Sequence, residues 1–297
     1  MLGLLRFGLW LARLPGQATA LNISRWVAAV LYRLNVDVVG IARINIASCL
    51  PQLSESERES LCRERLTQMV LLFFEFAQLA HWSEHKLLDQ IHDMQGKALL
   101  DEAYASGRGV VLLVPHLGNW ELFCAFLGAH YNFAALYAPP KLASLESLML
   151  NARQRFRGEL FPIDTGGMRS LLRVLKQGKL VAILPDQVPE RSAGVYADFF
   201  GQPALTMTLI HRLLNKNDPV VLMGTVERVM QASGFGYKVC VERLVDDIEG
   251  ADAQTCCAVM NKSIERAVLR APDQYQWEYK RFKRPPVKGV GDRYRRQ

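Results

Sequence analysis

Val110-Val111-Leu112-Leu113-Val114-Pro115-His116-Leu117-Gly118-Asn119-Trp120-Glu121-Leu122-Phe123 is the stretch on which the reading of the fold turns. Five aliphatic residues in a row, opened by Gly107-Arg108-Gly109, are the pattern of a strand buried on both faces, as a parallel sheet requires. Pro115 ends it, because proline has no N–H to give a ladder. Gly118-Asn119 signals a turn and a helix start, and Leu122, Phe123, Ala125 and Phe126 carry the helix onward. His116 and Glu121 therefore stand where a strand passes into a helix. That is the carboxyl edge of a sheet, where open α/β folds place their ligands.

A histidine there can take a proton from a hydroxyl if a carboxylate holds its other ring nitrogen in one tautomer. Five positions apart across a tight turn, His116 and Glu121 can face each other. The bare H-x-x-x-x-E spacing is common and equally fits a capping His and a surface Glu. Its placement after a buried strand puts the two readings level.

Outward from this centre, the same strand pattern recurs. Residues 180–184 are a second aliphatic run that ends in Pro185-Asp186-Gln187. In a parallel sheet both ends fall on one edge, which brings Asp186 and Gln187 near His116, either to position an acceptor or to cap the next loop. Residues 133–137 and 160–163 read as further strands, with residues 143–157 as a crossover helix. Asp164-Thr165-Gly166-Gly167 opens a helix over 168–177 with Arg169 in its first turn, an arrangement that suits an anion. Residues 219–226 and 237–244 read as a strand pair and 253–269 as a helix. Ser54 and Glu57 form a capping box for a helix over 54–80. Residues 86–108 read as a helix-rich connector, and Phe199-Phe200-Gly201 with residues 206–214 as a strand–turn–helix. The expected fold is α/β: a mixed, mostly parallel central sheet flanked by helices.

Bulk properties fit a globular enzyme. Apolar content of 50% with 22% charged residues excludes disorder, and a net charge of +7 asks for an anionic partner. The six cysteines form no C-x-x-C pair and read as reduced thiols, with no metal site. Residues 1–53 carry Arg6, Arg13, Arg25, Arg33 and Arg43 among apolar residues, with Asp37 as the lone acid. No apolar run there reaches the ~20 residues of a spanning helix, so the pattern is that of membrane-interface helices. Ala18-Thr19-Ala20 imitates a signal-peptidase site, but the arginines before it argue against a signal peptide. The expected organisation is an N-terminal membrane-associating segment (1–53), a catalytic domain (54–284) and a basic tail (285–297).

The central block resembles the H-x-G-N-W-E motif of the late acyltransferases of lipid A biosynthesis, within the lysophospholipid-acyltransferase superfamily. Asn45, Leu50-Pro51, Leu53-Ser54 and Glu57-Arg58 are similar to that family's N-terminal segment. Arg153, Arg155 and Gly158 resemble its "R…G" helix, and Arg169 with Leu171, Leu172, Leu175 and Gly178 its "R-x-L-x-x-x-L-x-x-G". Asp186-Gln187, Phe199-Phe200-Gly201, Gln276-Trp277 and Arg281-Phe282 follow in the family's order. One departure stands out: Ala138-Pro139-Pro140-Lys141 occupies the place of an "R-P…N" run, with Lys141 as the substitute cation.

The resemblance implies a glycerolipid-acyltransferase-like fold on the cytoplasmic face of the bacterial inner membrane. It implies an acyl carrier protein thioester as donor and a lipid A precursor hydroxyl as acceptor. His116 is then the general base and Glu121 its orienting carboxylate, with Arg169, Arg153, Arg155, Lys141, Asp186 and Gln187 toward substrate. No cofactor is called for, because a thioester is already activated, and no nucleic-acid motif is present. Three other readings fit the residues: the same chemistry on an ornithine-type lipid or lysophospholipid, a hydrolase, and a non-catalytic basic membrane-binding protein.

Overall fold

Two helices, α1 (Gln17–Arg33) and α2 (Asp37–Cys49), pack on the long α3 (Glu55–His81) before the sheet begins. The computed structural model describes residues 8–138, 150, 155–231, 234–287 and 293–294. The expected capping box opens α3: the Ser54 hydroxyl accepts from the Glu57 N–H, and Glu57 accepts from the Ser54 N–H at 2.7 Å. α2 buries Val39, Ala42 and Ile46 in the same core as Val111 and Leu113.

The chain continues through α4 (Glu84–Leu88), β1 (Ile91–Gln95), α5 (Lys97–Ala105), β2 (Val110–Leu113), α6 (Trp120–His130), β3 (Phe133–Tyr137) and β4 (Glu159–Pro162). There follow α7 (Thr165–Lys176), β5 (Leu180–Ile183), β6 (Gly194–Phe199), β7 (Gln202–Met207), α8 (Leu209–Asn217), β8 (Val220–Gln231), β9 (Gly234–Arg243) and α9 (Ala253–Arg270). The described residues build a seven-stranded sheet in the order β1-β9-β8-β2-β5-β3-β4, parallel except between β8 and β9. β2 lies at its centre. Val111 and Leu113 enter one core and Val110 and Leu112 the other, so both faces are covered by helices. Each such side chain, fully withdrawn from water, contributes about 1.5–3 kcal/mol.

Two stretches differ from the sequence reading. β1 lies inside the expected helical connector: Ile-His-Asp-Met-Gln pairs with β9 at the sheet edge, where partial exposure removes the hydrophobic alternation that marks a strand. β6 and β7 form a separate antiparallel hairpin turned at Phe200 and Gly201, both with positive φ (51° and 71°), so helix α8 starts only at Leu209. Paired left-handed residues are what a two-residue hairpin turn requires. Phe199 is buried against Phe200 and Tyr275, and Phe200 packs on Trp277; the aromatic pair is core.

Most of the expected crossover helix over 143–157 lies outside the described residues, as do Lys141 and Arg153. No described helix is long and apolar enough to cross a membrane. Much of the basic C-terminal stretch is tied to the domain. Arg281 is buried and donates to the Leu205 carbonyl and the Thr206 hydroxyl, and Arg284 donates to Pro189 O and Glu190.

Candidate active site

The parallel register of β2 and β5 assembles the site. Leu113 lies opposite Ile183, so the third residue past each strand, His116 and Asp186, meet beyond the carboxyl edge. The His116 ring Nδ1 is 2.7 Å from Asp186 Oδ1, and the His116 backbone N–H donates to Asp186 Oδ2 at 2.9 Å. The Nδ1 position expected for Glu121 is thus held by Asp186. Glu121 instead follows the turn on the first turn of α6, buried at that helix's positive end.

Asp186 is 3% exposed and the His116 side chain 10%. Burial works to raise the Asp186 carboxyl, but the charge of His116 and the hydrogen bonds from its ring and backbone outweigh it. Asp186 therefore lies below the ordinary aspartate value. Burial and the neighbouring Asp186 carboxylate push the Tyr275 hydroxyl well above the usual phenol range. With Nδ1–H donating to a carboxylate, Nε2 carries the basic lone pair. The Gln187 amide nitrogen stands 3.1 Å from it. The Trp120 ring meets the imidazole edge-on at 4.9 Å between centroids, which restricts the ring further.

Each residue of the turn between β2 and α6 has a reason. Gly118 has φ +63°, and a Cβ there would lie 1.9 Å from the Val226 carbonyl oxygen. Only glycine fits so close to β8. Asn119 caps α6, its side chain accepting from the Leu122 N–H at 3.0 Å, while its own N–H donates to Val226 O. From the far end of the chain, Gly118 N–H donates to Gln274 O and Gln276 N–H to His116 O, and Leu117 bridges to Tyr275. Asn45 fixes this C-terminal strap by donating to the carbonyls of Trp277 and Tyr279.

A second buried ion pair underlies the turn. Arg228 of β8 and Glu75 of α3 meet through both guanidinium Nε and Nη2, and Arg228 Nη2 also reaches Gly118 O at 3.4 Å. Tyr237 donates to Glu75 at 2.7 Å, and the Gln274 amide clamps the Arg228 backbone on both N–H and carbonyl. Burial opposes the charge on Arg228, but Glu75 outweighs it and holds the guanidinium above its ordinary value. Sequence inspection passes over this pair, because its partners lie 153 residues apart in elements that read as plain core.

The remaining expected residues fall elsewhere. α7 starts at Thr165, three residues before the expected start, so Arg169 is exposed in its second turn, and its N-terminus is already capped by Asp164 accepting from the Gly167 N–H at 2.7 Å. Arg155 donates to the carbonyls of Leu79 and Trp82, tying its segment to the end of α3. All six cysteines are free thiols, and burial raises Cys256 to about 11 and Cys49 to about 12. Thiols held protonated in this way are poor nucleophiles.

Residues 3–284 match the family model described as bacterial lipid A biosynthesis acyltransferase. The chain is 29% identical to the lipid A biosynthesis palmitoleoyltransferase of Escherichia coli K12 over 83% of its own length and 79% of that enzyme. It is 25% identical to the lauroyltransferase of the same organism, over 86% of this chain and 81% of the relative. With the E. coli myristoyltransferase it shares 26% identity, over 82% and 74% respectively.

Proposed function

The chain belongs to the bacterial lipid A biosynthesis acyltransferase family, and from that membership we propose that it transfers a fatty acyl chain from an acyl carrier protein thioester to a hydroxyl of a lipid A precursor. The observation that carries the mechanism is the buried His116–Asp186 pair at the sheet's carboxyl edge. Asp186 holds the Nδ1–H and stabilises the imidazolium. His116 Nε2 takes the acceptor hydroxyl's proton as the oxygen attacks the thioester carbonyl. The tetrahedral adduct expels the carrier thiolate, which recovers the proton from the imidazolium. The new ester C–O bond replaces the C–S bond, and no covalent enzyme intermediate is needed.

In the free protein the Gln187 amide donates to Nε2, and the incoming hydroxyl takes that place. Glu121 is the second carboxylate of the turn and shares the work of stabilising positive charge at His116. Arg169 binds an acceptor phosphate from the exposed second turn of α7, with Arg153, Arg155 and Lys141 as further cations toward substrate. The basic chain and the arginine-bearing N-terminal helices lay the enzyme on the anionic cytoplasmic face of the inner membrane.

The test is acyl transfer in detergent micelles, from acyl carrier protein thioesters to a tetra-acylated lipid A precursor, with products identified by mass. Wild type forms the acylated product, and His116→Ala lowers the rate at least ~10²-fold. No product with intact donor removes lipid A as acceptor and points to another lipid. Free fatty acid without acceptor makes the protein a hydrolase, and equal transfer by both proteins overturns the role of His116.

A further inference from the structure

A cleft of about 350 Å³ lies between α1 and α3, on a face that the proposed reaction does not use. Arg25, Arg33 and Arg63 line it with Tyr32 and Thr67, and Ala28 and Ala29 leave its floor shallow. The local acid does not neutralise it. Glu59 is already held by Arg43 through two guanidinium nitrogens, at 2.9 Å each, and accepts from the Tyr32 hydroxyl. Arg63 stacks over the Tyr32 ring at 4.5 Å and donates to its oxygen. Arg25 and Arg33 have no carboxylate partner among the described residues. Three guanidinium groups around one small hollow are the chemistry that binds phosphate.

The rim gives the source of that phosphate. Ile23 and Trp26, three apart on α1, and Leu34, the residue that caps its C-terminus, lie beside the arginine stripe, with Trp26 69% and Leu34 68% exposed. An apolar ridge crowned by an indole and flanked by arginines suits the boundary between headgroups and acyl chains. A free phosphate ion would have no use for it.

We propose that this cleft binds the headgroup phosphate of an anionic membrane phospholipid, with the lipid's acyl chains lying along Ile23, Trp26 and Leu34. The site rests on the reading that the enzyme works at a membrane surface, and it adds a defined lipid contact separate from the acceptor.

Sedimentation with phosphatidylcholine vesicles, with and without phosphatidylglycerol, tests it. Wild type partitions onto the phosphatidylglycerol vesicles. Arg25→Ala/Arg33→Ala weakens that partition about thirtyfold, from two cations each worth about 1 kcal/mol at the surface. Both positions are exposed, and circular dichroism checks that the helices remain. Arg173→Ala/Arg212→Ala removes the same charge from α7 and α8, outside the cleft, and changes partition by less than about twofold. Arg25→Lys/Arg33→Lys keeps the charge but loses the planar fork, and weakens binding at least about threefold. Full binding by the lysine variant, or equal losses in the α7/α8 control, means diffuse attraction and overturns the cleft. An unaffected alanine variant overturns the cleft while leaving membrane association intact. Failure of wild type to bind either vesicle overturns both.

Discussion

The Pro115–Asn119 turn is flanked by two buried acid–base pairs that serve opposite ends. His116–Asp186 stands at the carboxyl edge of the sheet beside the exposed Gln187, and it joins a ring nitrogen to a carboxyl held below its ordinary value. Arg228–Glu75 is sealed, at 2% and 1% side-chain exposure, with Glu75 holding the guanidinium above its ordinary value. In the proposed mechanism the first pair moves protons, and the second fixes the frame in which they move. A buried ion pair is weak evidence for stability as such, since an apolar replacement of similar volume often matches it. Its value here lies in where it points: Arg228 reaches the Gly118 carbonyl, and Gln274 joins the Arg228 backbone to the Gly118 N–H.

Breaking the sealed pair on one side should give the largest effect. Glu75→Gln leaves Arg228 buried without its counter-charge and costs about 3–5 kcal/mol in denaturant unfolding, while Glu75→Leu/Arg228→Met recovers most of that loss. If the double replacement regains stability but not acyl transfer, the pair orients the turn; full recovery of both reduces it to packing.

Next is the His116–Asp186 pair. Asp186→Asn lowers kcat by roughly 10²-fold or more with little change in KM, because it removes the group that fixes the tautomer and stabilises imidazolium. Glu121→Gln, assayed in parallel, separates the two carboxylates: the larger loss marks the one that orients His116.

The same variant has a signature in acid. Asp186 is depressed in the folded protein, so the stability it adds is fully present above the ordinary aspartate value of about 3.9 and is lost as pH falls through its lower folded value. The unfolding free energy of wild type therefore falls more steeply below about pH 4 than that of Asp186→Asn. Parallel curves would mean the carboxyl is not depressed.

Gly118→Ala puts strain of at least about 1–2 kcal/mol into the turn from its left-handed φ alone. Val226 must also retreat, and activity falls by more than the stability loss explains. Arg169→Ala should have the smallest effect, a rise in KM for acceptor of about tenfold or less with kcat held, since Arg169 is a solvent-facing cation.

What could be read from the chain follows from how local each signal is. β2 and β5 are uninterrupted aliphatic runs closed by proline, and their parallel neighbourhood is enough to bring Asp186 and Gln187 to His116. The choice of carboxylate was not legible. Glu121 lies five residues away, but pairing depends on the register Leu113–Ile183, and register is set across the sheet. β1 escaped because an edge strand with Asp93 and Gln95 exposed to water has no alternation to show. The hairpin turn at Phe200-Gly201 escaped because Phe at a left-handed position contradicts its own preference and is held there by packing on Trp277. Arg281 reads only as half of the Arg281-Phe282 pair, and its buried role shows once the carbonyl of Leu205 and the hydroxyl of Thr206 are seen to receive it.

The C-terminal strap sets the order in which the enzyme can come into being. Synthesis releases His116 early and Asp186 later, but the Gly118 N–H and the His116 carbonyl lack their partners until Gln274–Gln276 emerges and closes the turn. Asn45, made long before, has no carbonyls to hold until the same moment. Maturation thus behaves like a clasp fastened last. A nascent chain stalled before Gln274 therefore carries His116 and Asp186 without the backbone partners that hold the turn.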